Sequence, residues 1–188
     1  MSIIRYTLVI ALLLTASAAS AQDWQTVKGS TLTFSSRFQG EPFIGEFSKF
    51  SAQIRFDPKA LGQSRFDVLI DLSSANSQNS ERDDTLKTKE FFDIKKTTSA
   101  RYTATHFKDL GKGRFQADGQ LSLRGITKPV SMVFTWTQNK TVVMVGEAVV
   151  NRLSFNVGSG DWADTQLLPN AVKVQTQLIL IPKTVAKP

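Results

Sequence analysis

Alternation of apolar and polar residues with a period of two constrains this chain more than any other feature. Phe50, Ala52, Ile54 and Phe56 alternate with Ser51, Gln53, Arg55 and Asp57, and Phe66, Val68, Ile70 and Leu72 with Asp67, Leu69, Asp71 and Ser73. Successive side chains of a strand point to opposite faces, so this spacing describes strands with one buried and one wet face. Leu32, Phe34 and Phe38 stand against Thr33, Ser35 and Arg37 in the same way. So do Phe115, Ala117, Gly119, Leu121 and Leu123 against Arg114, Gln116, Asp118, Gln120 and Ser122. Val130, Met132, Phe134 and Trp136, then Val172, Val174, Leu178 and Leu180, extend the series, with further strands at Tyr102 and over residues 142–150. Turn residues separate them at Asp57-Pro58, Gly111-Lys112-Gly113 and Gln138-Asn139-Lys140. Short strands between turn signals predict an all-β sandwich or barrel of about eight antiparallel strands. One short helical insertion is expected near residues 80–92, where Ser80 followed by Asp83 is a loose capping signal.

Period two alone does not say which face is inside. A membrane barrel turns its apolar face to lipid and keeps a polar lumen. Here the charged faces are dense, and Phe, Met, Trp and Leu run along whole strands instead of gathering at two belts. The chain also ends in a polar tail, Pro182 to Pro188. These features predict apolar faces turned inward. An eight-stranded barrel of that kind either fills with side chains or holds one small ligand, and thirteen Phe residues suit both outcomes.

Residues 1–21 read as a signal peptide. Arg5 precedes the apolar run Thr7 to Leu14, and small residues end at Ala19-Ser20-Ala21. The run is shorter than the ~20 residues of a membrane-spanning helix. Cleavage after Ala21 is expected, leaving residues 22–188 as a single periplasmic or secreted domain. The full chain carries a net charge of +7, spread along its length, and export argues against nucleic acid as partner. Without cysteine, thiolate chemistry is excluded and the fold stands on its core.

The motifs, taken in order, resemble the YceI-like family. They are Gly45-Glu46-Phe47-Ser48-Lys49-Phe50 with Ile54 to Pro58, Arg82 to Lys87 with Glu90-Phe91-Phe92-Asp93, Gly119 to Val130, Asn151 to Phe155, and Val157 to Asp164. Two positions depart from the family pattern: Ser154 stands where Asp is usual and Asn156 where Gly is usual. The resemblance implies an extended lipocalin-like barrel of eight antiparallel strands with a long internal tunnel. It implies a ligand such as a polyisoprenoid or quinone-like lipid, no required cofactor, and a periplasmic or secreted location. It also implies transient contact with a membrane surface or with a cytochrome b561-type membrane protein. A barrel packed solid, serving as an envelope-stress or interaction protein, is the alternative.

A tail-binding tunnel needs apolar surface, because each buried CH₂ contributes about 0.8 kcal/mol. The predicted inward residues are Phe34, Phe38, Phe56, Tyr102, Leu121, Met132, Phe134, Trp136, Met144 and Leu178, with Phe43 and Phe47 joining them. Leu86, Phe91 and Phe92 are expected to form a lid over one end. Counting by two from Met144 brings Arg152 to the inward face, to hold a polar head group or to close a strand-end ion pair. Lys87, Lys89, Lys95 and Lys96 form either a membrane-facing or an ordinary solvated surface. His106 is the single histidine, and no nucleophile-elbow motif accompanies it. Catalysis is not expected.

Overall fold

The computed structural model describes residues 21–183, so the predicted signal peptide up to Ser20 lies outside the described residues. Eight staves follow one another around a closed barrel, each antiparallel to the next. Three of them are composite. β1 (Asp23–Thr26) and β2 (Thr31–Phe38) form the first, β3 (Glu41–Phe47) and β4 (Phe50–Arg55) the second, and β5 (Arg65–Asp71) with β6 (Ala75–Asn76) the third. The others are β7 (Ser99–Gly111), β8 (Arg114–Leu123), β9 (Ile126–Gln138), β10 (Val142–Asn151) and β11 (Ala171–Pro182). Closure comes from β11, which pairs with β10 on one edge and with both β2 and β1 on the other. The eight-stranded antiparallel barrel expected from the alternation is the observed fold, and closure leaves no long open edge to recruit another chain.

The breaks in the composite staves are tied together. Leu72–Ser74 forms a 3₁₀ turn whose Ser74 Oγ donates to Asp71 O at 2.7 Å and accepts from Lys49 N at 3.1 Å. Between β6 and β7 lies α1 (Ser80–Lys87), shorter than expected. Its cap is Asn79 rather than Ser80: the Asn79 side chain accepts from Arg82 N at 2.9 Å, satisfying a first-turn amide. Turns replace the helix from Thr88 onward. At the hairpins the chain takes positive φ where predicted, at Gly111, Lys112 and Gly113.

Apolar faces point inward, and the outer face carries charge ladders. Asp67 is bridged by Arg101 at 2.6 Å, Asp118 by Lys108 at 2.8 Å, and Glu147 by Lys173 at 3.1 Å. The buried interior divides into two clusters along the axis. At one end Trp24, Phe56, Phe66, Phe115, Phe134 and Trp136 pack ring against ring. Phe56 is wholly buried, with ring centroids 4.7 Å from Trp136, 5.1 Å from Phe115 and 5.2 Å from Phe134. Several of these contacts are edge-on, the arrangement that ring quadrupoles prefer. This end is plugged. At the other end the walls are mainly aliphatic, and α1 and the following turns lie over them.

Two predictions follow from this packing. Phe56→Ala should cost about 3–5 kcal/mol, because the void would be lined by rigid rings that cannot collapse into it; urea unfolding measures it. The outer carboxylates set the acid limit. Asp118 is held well below the usual carboxylate range by Lys108, with Ser131 and Gln116 also donating to it; Asp67 is lowered by Arg101, and Asp23 by Arg55. A carboxyl depressed in the folded state contributes stability above its unfolded pKa of about 4 and loses it as pH falls below that value. The melting temperature should therefore drop progressively below about pH 4, and Asp118→Asn should flatten part of that slope in a pH series of thermal melts.

Candidate functional site

Side-chain size along each stave decides where the barrel is hollow. On β10 the inward positions read Val142, Met144, Gly146, Ala148 and Val150. On β9 they run from Trp136 and Phe134 in the plug to Met132 and Val130 beyond it. Where the residues shrink, a cavity of about 200 Å³ opens, and the unfilled space reaches about 1450 Å³ once its open mouth is included. Its wall is almost wholly apolar. It extends from Ile54, Phe66, Met144 and Leu178 at the plug to Val157 and Leu168 beneath the mouth. Five inward positions of β10 and its continuation, Met144 to Arg152, border it. At about 3.3 Å per residue along a strand, the space is elongated, with the shape of a tail.

Tyr102 crosses the wall between the two halves. Its ring lies on Gly119, where a Cβ would stand only 2.5 Å from the ring, so glycine is required there. The Tyr102 hydroxyl is placed to donate to Ala117 O at 3.1 Å or Val130 O at 3.2 Å. Burial pushes its pKa up, and the nearby Asp118 charge adds to that shift. The hydroxyl stays neutral over the whole ordinary pH range.

Among the residues predicted to face the ligand, Phe34, Phe43, Phe47, Tyr102, Leu121, Met132, Met144 and Leu178 line the cavity. Leu86, Phe91 and Phe92, expected to form a lid, line it as well, at the end away from the plug. Phe91 packs on Trp162 with centroids 5.3 Å apart, and Phe92 on Phe47 at 6.0 Å. Phe56, Phe134 and Trp136 do not border the cavity, which corrects the expectation for them: they are the plug. Phe38 does not border it either; it packs on Trp162 at 5.9 Å. The alternation placed all four on the inward face but carried no information about depth.

Arg152 departs furthest from expectation. β10 ends at Asn151, and Arg152 begins a 3₁₀ turn, Arg152–Phe155. Its side chain is 3% exposed, and all its donors meet backbone carbonyls. Nε donates to Pro169 O at 3.1 Å, Nη1 to Val157 O at 3.0 Å and to Gly158 O, and Nη2 to Trp162 O and Leu168 O, each at 2.7 Å. A guanidinium has five N–H groups, and here five carbonyls take them. Neither the head-group clamp nor the strand-end ion pair describes this residue; it folds the loop of residues 152–170 around itself. Gly158 must be glycine for the same reason, since its φ is +65° and a Cβ would lie 2.5 Å from Arg152 Nη1. Asn156 takes the left-handed conformation, φ 55°, that glycine usually supplies at this position. Arg124 clasps the neighbouring loops, donating to Lys89 O at 2.7 Å and to Asn156 O.

His106 is exposed at a strand irregularity, with Nδ1 3.2 Å from the Thr105 hydroxyl. Among the described residues no group of three His, Asp or Glu side chains converges as a metal site would require. Lys87, Lys89 and Lys96 each sit beside an acid, Asp84, Glu90 and Asp93, so the charge near α1 is largely balanced. Ser36, passed over between Phe34 and Phe38, also lines the cavity; continued counting by two would have found it.

A closed barrel with one plugged and one hollow half defines a class of folds with an internal cavity. Residues 24–180 match the YceI-like domain, and the chain belongs to that family. A UPF0312 protein of Vibrio parahaemolyticus is 32% identical over 179 residues, covering 88% of this chain and 95% of that protein. BcnA of Burkholderia cenocepacia is similar in structure, with a TM-score of 0.77 and 29% identity over 80% of this chain and 95% of its own. A domain of Saccharophagus degradans described as polyisoprenoid binding shares the fold, with a TM-score of 0.66 and 16% identity over 87% of this chain and 99% of its own.

Replacing Arg152 would strand five carbonyls at once. Arg152→Met is expected to cost about 3 kcal/mol or more, since each buried acceptor left unpaired costs about 1–3 kcal/mol. Urea titration of the variant measures the loss.

Proposed function

We propose that this protein binds a long single-chain lipid, polyisoprenoid or quinone-like, in the hollow half of its barrel, and that it holds or carries the lipid without transforming it. The observation that carries this reading is the abrupt change from rings to small side chains beyond Phe134 and Met144, which leaves an elongated apolar cavity beneath Leu86, Phe91 and Phe92. At about 0.8 kcal/mol for each buried CH₂, a tail of several isoprene units gains more here than a few hydrogen bonds of about 1 kcal/mol each would supply. The description of the Saccharophagus degradans domain as polyisoprenoid binding agrees with the reading.

The predicted leader supports a periplasmic or secreted setting. The first strand begins at Asp23, so cleavage after Ala21 would leave every stave in place. Membranes supply such lipids, and transient contact with a membrane surface or with a cytochrome b561-type membrane protein would deliver or receive one.

Native mass spectrometry of protein extracted mildly from its host envelope tests the proposal: a co-purifying lipid mass is expected. Ala148→Trp, which projects an indole into the cavity, should weaken uptake of a prenylated quinone at least about ten-fold, as filling the space displaces tail contacts. Unchanged uptake in that variant, or no lipid uptake by the native protein, would favour an interaction role for the barrel instead.

A further inference from the structure

Two side-chain polar atoms are shut off from solvent without a hydrogen-bond partner among the described residues: Trp136 Nε1 and Ser36 Oγ. Trp136 belongs to the plug and does not border the cavity. Ser36 does. Buried hydroxyls are nearly always paired, and one left open inside an apolar wall calls for an explanation. The other polar groups on that wall are engaged: Thr176 Oγ1 donates to Thr31 O, the Tyr102 hydroxyl reaches two carbonyls, and Arg152 is fully used by backbone.

Register fixes the position of Ser36. It pairs with Phe43 across β2 and β3, and its neighbour Ser35 pairs with Lys173 of β11. Val172, the next residue of β11, pairs with Val150. Ser36 therefore stands at the level of Val150, at the mouth end and far from the plug. Arg152 follows two residues beyond Val150 in the same cavity wall and has no ion-pair partner among the described residues. Its donors are spent, but its charge remains and favours oxygen lone pairs over N–H or O–H groups nearby.

We propose that Ser36 is the head-group reader of this cavity: its hydroxyl, covered as it stands, turns about the Cα–Cβ bond to donate to an acceptor oxygen, carbonyl or carboxylate, of a single-chain lipid whose tail runs down toward Phe66 and Met144. This rests on the lipid-binding reading above and refines it, since it selects lipids with an acceptor oxygen at one end over bare hydrocarbons and fixes which end enters first. Sequence counting assigned this task to Arg152; the structure points instead to a residue two strand edges away, across β11.

The test compares methyl hexadecanoate with heptadecane in displacing an apolar naphthylamine fluorophore. In the native protein the ester should bind more tightly. Ser36→Ala should weaken the ester about five-fold, the worth of one net hydrogen bond of about 1 kcal/mol, and change the alkane less than about two-fold. Ser36→Thr, which keeps a hydroxyl, should retain the preference. The melting temperature of Ser36→Ala should be unchanged or higher, because the hydroxyl it removes has no partner in the protein. Equal losses for both probes, or no loss for either, would overturn the role of Ser36 while leaving tail binding intact. Failure of both probes to bind the native protein would overturn the lipid reading as well.

Discussion

The uneven size of inward side chains along the barrel axis is the constraint on which the rest depends. Closure by β11 fixes the circumference, so what fills the lumen at each level is decided by the side chains pointing into it. Phe56 and Phe66 flank one turn, Phe107 and Phe115 a second, and Phe134 and Trp136 lead into a third at the end of β9. In an up-and-down barrel those three turns share one end. Rings from six positions therefore meet there and exclude space, while Gly146, Ala148, Val150, Val172 and Val174 at the other end are too small to meet across the lumen. The plug supplies stability, and the hollow half is where the fold forgoes such packing.

The mouth is built differently. Its loops have little regular structure, and a buried guanidinium organises them. Arg152 gathers carbonyls from residues 157–169 around itself, and Arg124 fastens Lys89 to the loop around Asn156. A lysine offers three donors on a flexible stem and could not serve five carbonyls. Charge burial of this kind is normally costly without a counter-ion. Here hydrogen bonds to carbonyl dipoles offset the cost, so the loop holds its shape while remaining uncovered enough to form a rim.

Much of this was legible in the residues. Period two gave the staves and their inward faces, because a buried face tolerates no slip in register. The turns were marked by glycine and proline, and the resemblance of ordered motifs pointed to the family. What alternation lacks is depth: Phe56, Phe134 and Trp136 look like Phe34 and Met132 until their distance from a turn is considered. Arg152 was misread because counting by two assumes the strand continues, whereas the chain leaves β10 at Asn151. The helix cap fell one residue early, on Asn79, since capping depends on backbone geometry that Ser80 and Asp83 do not fix alone. Ser36 falls on the inward face by the same count of two, between Phe34 and Phe38, and was missed because only apolar residues were followed along that face.

Beyond residue 1 the chain has two methionines, Met132 and Met144, and both border the cavity at different depths. Methyl-labelled methionine therefore gives two reporters inside the space and, among the described residues, none on the outer face. The most direct measurement is the pair of methionine methyl resonances as a prenylated quinone is added. The account predicts that both shift and both show magnetisation transfer from tail protons. A lipid that binds with neither resonance moving would sit outside the barrel and contradict it.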